Sequence, residues 1–362
     1  MKKFFFSLVA IAALAACSKS EPVYEPAGEI GFTPVARNIT KAALGVVDNK
    51  YPEAQNIGVW ANYDGTVAAL SNPDYANKFK TAYIEDKQFT YHADVTPKSW
   101  AGVTPYFWPT NGSLVFAGYS MTAPGTAGTD APAVGTARSY NFSNDEMTIT
   151  GYTQSLDPAS SFDLMWFGRT DKSYNYRNVA TAVPVVFSHA LSWITIKVVG
   201  EGTVLDEDNT WAVTSVVING VNEKGDVTMV GAGANKATWE NVVDADNTAA
   251  NTITVFTGNQ PLTDSAASIE TNTNGTLVIP QTPNTVTVKY KYKTPAGVEI
   301  EETSTVPLSL NGATDANGAI NYTDWQSGTH YIYTLKFTQS EILIAPTVDT
   351  GWAVVNQNVS VN

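Results

Sequence analysis

The sequence predicts an all-β protein, two antiparallel β-sandwich domains in tandem, and three observations carry that expectation. Beyond the N-terminal apolar run, helical periodicity is almost absent. In its place, short alternating runs recur between clusters of Gly, Pro, Asn and Asp. The composition agrees: charged residues make up only 15% of the chain, aromatics make up 11%, and 18 prolines punctuate it.

The first element is a targeting segment. Met1-Lys2-Lys3 is a short basic head, and Phe4 to Leu14 is an apolar run of eleven residues. That is too short for a permanent membrane helix, which needs about 20 apolar residues. Leu14-Ala15-Ala16-Cys17 closes it with small residues before a cysteine, so residues 1–16 read as a secretory signal cut ahead of Cys17. Cys17 is the one cysteine in 362 residues and has no partner for an internal disulfide. The pattern predicts lipidation at Cys17, hence an exported chain anchored through lipid.

Residues 17–41 form the next segment. Ser18 to Ala27 is a polar tether with Pro22 and Pro26. Glu29 to Val35 is strand-like, with Ile30 and Phe32 on one face. Two basic residues, Arg37 and Lys41, follow at once in a polar stretch.

Residues 42–182 make the first expected domain. Its strands begin at Ile57–Ala61; a short turn is expected near Ser71–Lys80. Tyr106–Pro109 and Leu114–Tyr119 flank Asn111-Gly112, the dipeptide of a tight hairpin. Ala123–Gly135 reads as a loop, and strands resume at Met147–Tyr152 and Asp163–Gly168. Residues 183–362 make the second domain, opening with Pro184–Leu191 and Trp193–Val198. Thr285–Lys293 alternates at every position, with Val286, Val288, Tyr290 and Tyr292 expected inward and the lysines outward. Tyr331, Tyr333, Leu335 and Phe337 repeat the pattern. Ile342–Ile344 follows, with a break at Pro346, and Trp352–Val361 closes the chain.

Composition excludes several functions. The formal charge is −13, and Lys2 and Lys3 leave with the signal, which is the wrong sign for nucleic acid or for an anionic membrane patch. His92, His189 and His330 are widely spaced and form no metal-binding motif. No nucleophile elbow, Walker loop or dinucleotide fingerprint occurs, so no catalytic residue and no cofactor is assigned. The acidic run Asp206-Glu207-Asp208 has some calcium character but lacks the glycine and distal glutamate of an EF-hand loop. His189 reads as a structural hydrogen-bonder. Nine tryptophans leave open an aromatic platform for glycans, set against ordinary core packing.

Taken together, the closing tetrapeptide Leu14–Cys17, the early strand Ile30–Phe32 with Arg37 and Lys41 behind it, Tyr106-Phe107-Trp108-Pro109 leading into Leu114–Ser120, Phe187–Ser192, and Ile342–Val348 with Trp352 resemble the fimbrillin family, the pilins of lipoprotein-derived (type V) fimbriae of Gram-negative bacteria. The resemblance implies two transthyretin-like sandwiches and export to the outer membrane surface as a lipoprotein. It also implies that an Arg- or Lys-specific protease removes the lipidated strand and that another fimbrial subunit refills the groove. Carried over, the removed strand is Glu29–Val35 with Ile30 and Phe32 as anchors, and the cut follows Arg37 or Lys41. The donor expected here is the C-terminal segment, with Val355, Val359 and Val361 on one face; the competing expectation is a terminal strand packed in its own domain. The expected role is a structural or tip subunit supporting adhesion to a host or bacterial surface glycan or protein. The alternative is a surface glycan-binding lipoprotein that keeps its lipid.

Overall fold

The computed structural model describes residues 28–36 and 51–349, apart from 54, 67–73, 94–98, 122–133, 174, 177–181, 207–209, 232–235, 245–250, 271–274, 295, 316–317 and 340. The expectations for Cys17, Arg37, Lys41, Val355, Val359 and Val361, and for most of the Ala123–Gly135 loop and the Asp206–Asp208 run, lie outside the described residues.

Among the described residues there is no α-helix, and strands follow one another throughout. The first half contains β1 (Gly31–Ala36), β2 (Ile57–Asp64), β3 (Thr81–His92), β4 (Ser99–Gly102), β5 (Ser113–Ser120), β6 (Ala137–Asn141), β7 (Glu146–Thr153) and β8 (Met165–Ser173). Next come β9 (Val183–His189), β10 (Ser192–Gly200), a 3-10 turn (Gly202–Leu205), β11 (Ala212–Asn219), β12 (Lys224–Val230) and β13 (Lys236–Val243). The chain continues with β14 (Thr252–Pro261), β15 (Ala267–Ser268), β16 (Thr276–Val278), β17 (Thr285–Lys293) and β18 (Glu299–Pro307). The last strands are β19 (Thr314–Asp315), β20 (Gly318–Ala319), β21 (His330–Phe337) and β22 (Ile342–Asp349).

These strands build three apolar cores. A closed barrel in the order β1-β4-β3-β2-β5-β8-β9 holds the first, around Phe32, Phe89, Phe116 and Phe187. The sheet β13-β12-β7-β6 covers the outer side of β5, enclosing the second core of Val115, Tyr119, Met147, Val227 and Met229. β5 therefore has both faces covered, and all eight of its residues are buried. Its continuous run Leu-Val-Phe-Ala-Gly-Tyr is what two apolar neighbours demand. Gly118 is required there, because a Cβ would stand 2.5 Å from both the Gly58 carbonyl oxygen and the Phe167 ring. The third core lies between the sheets β15-β10-β21-β22, with β16 also on β10, and β14-β11-β17-β18.

Four expectations change. Among the described residues, pairing is antiparallel except for two parallel pairs, β1 with β9 and β10 with β21. Tyr106–Pro109 is not a hairpin partner of β5, whose neighbours are β2 and β8; only Phe107 makes an isolated bridge, to Glu29. Gly112 still turns the chain, with φ of +77°. Pro346 does not break β22 but lies within it, opposite Tyr333. β22 is an edge strand, where a missing N–H is tolerated. Strand pairing also crosses the boundary expected at Val183. β9 belongs to the N-terminal barrel, and the hairpin β12–β13 extends the sheet begun by β6 and β7. β7 and β12 are neighbours in one sheet, and Met147, Ile149, Val227 and Met229 share the face that packs into the second core, which is the physical reason.

The period-2 readings hold with one modulation. Tyr331, Tyr333, Leu335 and Phe337 are all fully buried, as are Val286 and Val288. Tyr290 and Tyr292 are half-buried, because the sandwich opens at that end. Val288→Ala is expected to cost about 2 kcal/mol in urea unfolding. Lys291→Ala should stay within about 0.5 kcal/mol, since its 3.3 Å pair with Glu299 is largely solvated.

Candidate functional site

β1 and the slot that holds it make the candidate site. The strand enters through a pair of backbone bonds to the segment 106–108: Ile30 N–H donates to the Tyr106 carbonyl at 2.7 Å, and Trp108 N–H donates to the Gly28 carbonyl at 3.0 Å. It then lies between two strands of opposite sense. Antiparallel pairing with β4 matches Gly31 to Ala101 and Phe32 to Trp100. Parallel pairing with β9 runs from Phe32 opposite Val183 to Ala36 opposite Phe187. Among the described residues, the pairing with β4 runs no further than Phe32.

The side chains fix β1 in register. Ile30 and Phe32 are both 0% exposed. Phe32 stands edge-on to Phe89 at 5.1 Å and to Phe116 at 5.3 Å between ring centroids, with Phe167 at 6.2 Å. Burying two such side chains stabilises the fold by about 1.5–3 kcal/mol each, and the edge-on rings add to that. The inward anchors expected from sequence are thus at the centre of the barrel. Arg37 and Lys41 follow the end of β1 in sequence, outside the described residues.

Sequence reading missed the far wall of this slot. Val183, Val185 and Phe187 of β9 are buried in the same core. Their i, i+2, i+4 spacing was visible, but Val183 was read as the start of the second domain. A parallel partner separated by so much chain leaves no local signal.

Among the described residues, the polar groups near the slot are tied into the framework. His189 Nδ1 lies 2.6 Å from Asp163 Oδ2, and Asp163 also supplies the backbone oxygen that accepts from Ser120 Oγ at 2.8 Å. Ser120 Oγ in turn accepts from Met165 N–H at 2.6 Å, so that hydroxyl is tied into the β5–β8 framework. Asp145, from the acidic pair Asp145-Glu146, is buried; it accepts from the Tyr140 hydroxyl and from Arg169 N–H at 2.8 Å. Among the described residues no three His, Cys, Asp or Glu side chains group as a metal site. Trp60, Trp100, Trp108, Trp166, Trp193 and Trp325 are buried, which is core packing and not a glycan platform.

A fimbrillin-like family profile matches residues 40–352. The chain belongs to the fimbrillin-like family. A second profile, for the prokaryotic membrane lipoprotein lipid attachment site, matches residues 1–18, the segment that contains Cys17. Among solved structures, this fimbrillin-like protein is similar to a fimbrial protein from Bacteroides vulgatus. That match has 16% identity and a TM-score of 0.53, covering 89% of this chain and 99% of the other. A candidate cell adhesion protein from Bacteroides uniformis matches at 15% identity, covering 90% and 98%, with a TM-score of 0.42. The tip fimbrial protein Mfa3 from Porphyromonas gingivalis, with a C-terminal truncation, matches at 11%, covering 89% and 99%, with a TM-score of 0.33. None of the curated proteins matches the sequence. The first of these structures shares the fold; the family assignment rests on the sequence profile. A fimbrillin-like chain with a lipid attachment site is a membrane-anchored surface protein of the fimbrial, structural kind.

Proposed function

We propose that this fimbrillin-like protein is a subunit of a surface fimbria, structural or at the tip, supporting cell adhesion. β1 holds the place of a strand that another subunit later supplies. The chain reaches the outer membrane surface through lipid on Cys17, and a protease specific for Arg or Lys cuts after Arg37 or Lys41. Losing β1 exposes the paired edges of β4 and β9 and empties the Ile30 and Phe32 positions, a state that invites strand addition. The observation that supports this reading is that a strand joined to the lipid anchor completes the barrel and then runs directly into the basic segment.

Arg37→Ala combined with Lys41→Ala is expected to leave lipidated, full-length monomer on cells. N-terminal sequencing of the wild-type surface form should begin at Asn38 or Ala42. Deleting Asn356–Asn362 should leave a folded, processed protein that no longer extends fibres in electron micrographs. Normal fibres from the tail-deleted chain would remove the C-terminal segment as donor, and an unprocessed wild-type N-terminus would remove the cleavage step.

A further inference from the structure

At the open end of the C-terminal sandwich lies a groove of about 350 Å³, within the range of small-ligand sites. Its aromatic wall is ordered. Trp211 stacks on Tyr292 at 4.4 Å and 12°, and its plane also lies 13° from that of Tyr290 at 5.5 Å. Phe337, fully buried, meets Tyr290 edge-on and forms the floor. The Tyr290 and Tyr292 hydroxyls both donate to one carboxylate, that of Glu302, at 2.7 and 3.1 Å. Tyr290 and Glu302 are direct cross-strand partners on β17 and β18, so the sheet itself sets this geometry. Gln339, Glu341 and Lys293 stand on the rim, and Gln339 Oε1 accepts from Thr203 Oγ1 at 3.2 Å.

Three features define the ligand. Trp211, Tyr290 and Tyr292 are half-buried and face a cavity, whereas most tryptophans of this chain are enclosed. A stack of half-buried rings with part of its aromatic surface open, beside an oriented carboxylate and an amide, suits a sugar ring, whose C–H face packs on aromatic carbon while its hydroxyls bond to the polar groups. Two carboxylates against Lys293, the one cation among the described residues that line the groove, disfavour an anion. We propose that this groove binds a neutral saccharide, one ring lying against the Trp211–Tyr292 shelf and its hydroxyls on Glu302 and Gln339. Binding of this kind needs only the folded C-terminal sandwich, so it stands apart from cleavage at Arg37 and from strand exchange.

The test is saturation-transfer NMR on the mature-length chain without lipid. The probes are lactose, N-acetyllactosamine, cellobiose and mannobiose, with sialyllactose as the anionic comparator. At about 10 mM ligand, above the millimolar Kd of a weak single site, at least one neutral disaccharide should receive saturation. Trp211→Ala and Tyr292→Ala should each weaken it at least about tenfold, and Glu302→Gln about threefold. Trp211 packs partly on the core, so the more exposed Tyr292→Ala carries the test if the tryptophan variant does not fold. No saturation of any neutral sugar overturns the proposal. Binding unchanged in the Tyr292 and Glu302 variants, or stronger for sialyllactose, does so as well.

Discussion

Replacing Phe32 by alanine is expected to destabilise the protein by about 3–5 kcal/mol, the loss typical of a fully enclosed phenylalanine. The ring is 0% exposed and touches three others, so truncation leaves a void that rigid aromatic neighbours do not collapse to fill. Thr33→Ala, on the half-buried face of the same strand, should cost under about 1 kcal/mol. Urea unfolding of the three proteins checks this. A Phe32→Ala loss near that of Thr33→Ala would mean that β1 is a covering strand and not part of the barrel core. The same contrast sets the requirement on any replacement strand: it must bring a large apolar side chain to the Phe32 position, since backbone pairing alone leaves that void.

The second large effect is on pH dependence. Burial pushes the Glu270 carboxyl up to about 8, partly offset by the Thr195 hydroxyl and the Ile196 backbone. Thr195 Oγ1 donates to Oε2 at 3.4 Å, while Oε1 is buried with no hydrogen bond among the described residues. The folded chain therefore keeps this proton between pH 4.5, the ordinary glutamate value, and about 8, where the unfolded chain has released it. The folded state binds more protons in that window, so stability falls as pH rises, by about 1.4 kcal/mol per unit at most. Glu270→Gln keeps the shape and removes the titration; its urea midpoint should exceed that of the parent at pH 8 and match it near pH 4.5. Asp64 and Asp226, held low by Thr66 and Asn241, act in the opposite sense and only on the acid side. Equal pH slopes in parent and variant would show the Glu270 carboxyl to be ionised throughout.

The periodic strands were legible because one face is wet and the other dry. Tyr331 to Phe337 and Val286 to Val288 alternate in sequence as they do in burial. Ile30 and Phe32 were legible for the same reason. The partners were not. Nothing local in Val183–Phe187 says that it lies parallel to β1, and nothing in Leu114–Tyr119 says that its neighbours are β2 and β8 and not Tyr106–Pro109. Pro346 misled because a proline reads as a stop until the strand is known to lie at an edge. The Trp211 shelf was obscured for a related reason. Tryptophan count records how many flat rings exist, while only tertiary packing decides which remain open.

The β7–β12 seam has a consequence for how the molecule comes into being. Met147 and Ile149 share one core face with their cross-strand neighbours Met229 and Val227, so the first half lacks part of its own core until the chain has run to Val243, the end of β13. A polypeptide delivered across a membrane N-terminus first must hold the outer side of β5 and the inner side of β7 in waiting. Such long-range closure slows folding, and the shared sheet makes the halves melt together rather than as separable pieces. A secreted intermediate with an unfinished sheet is prone to aggregate.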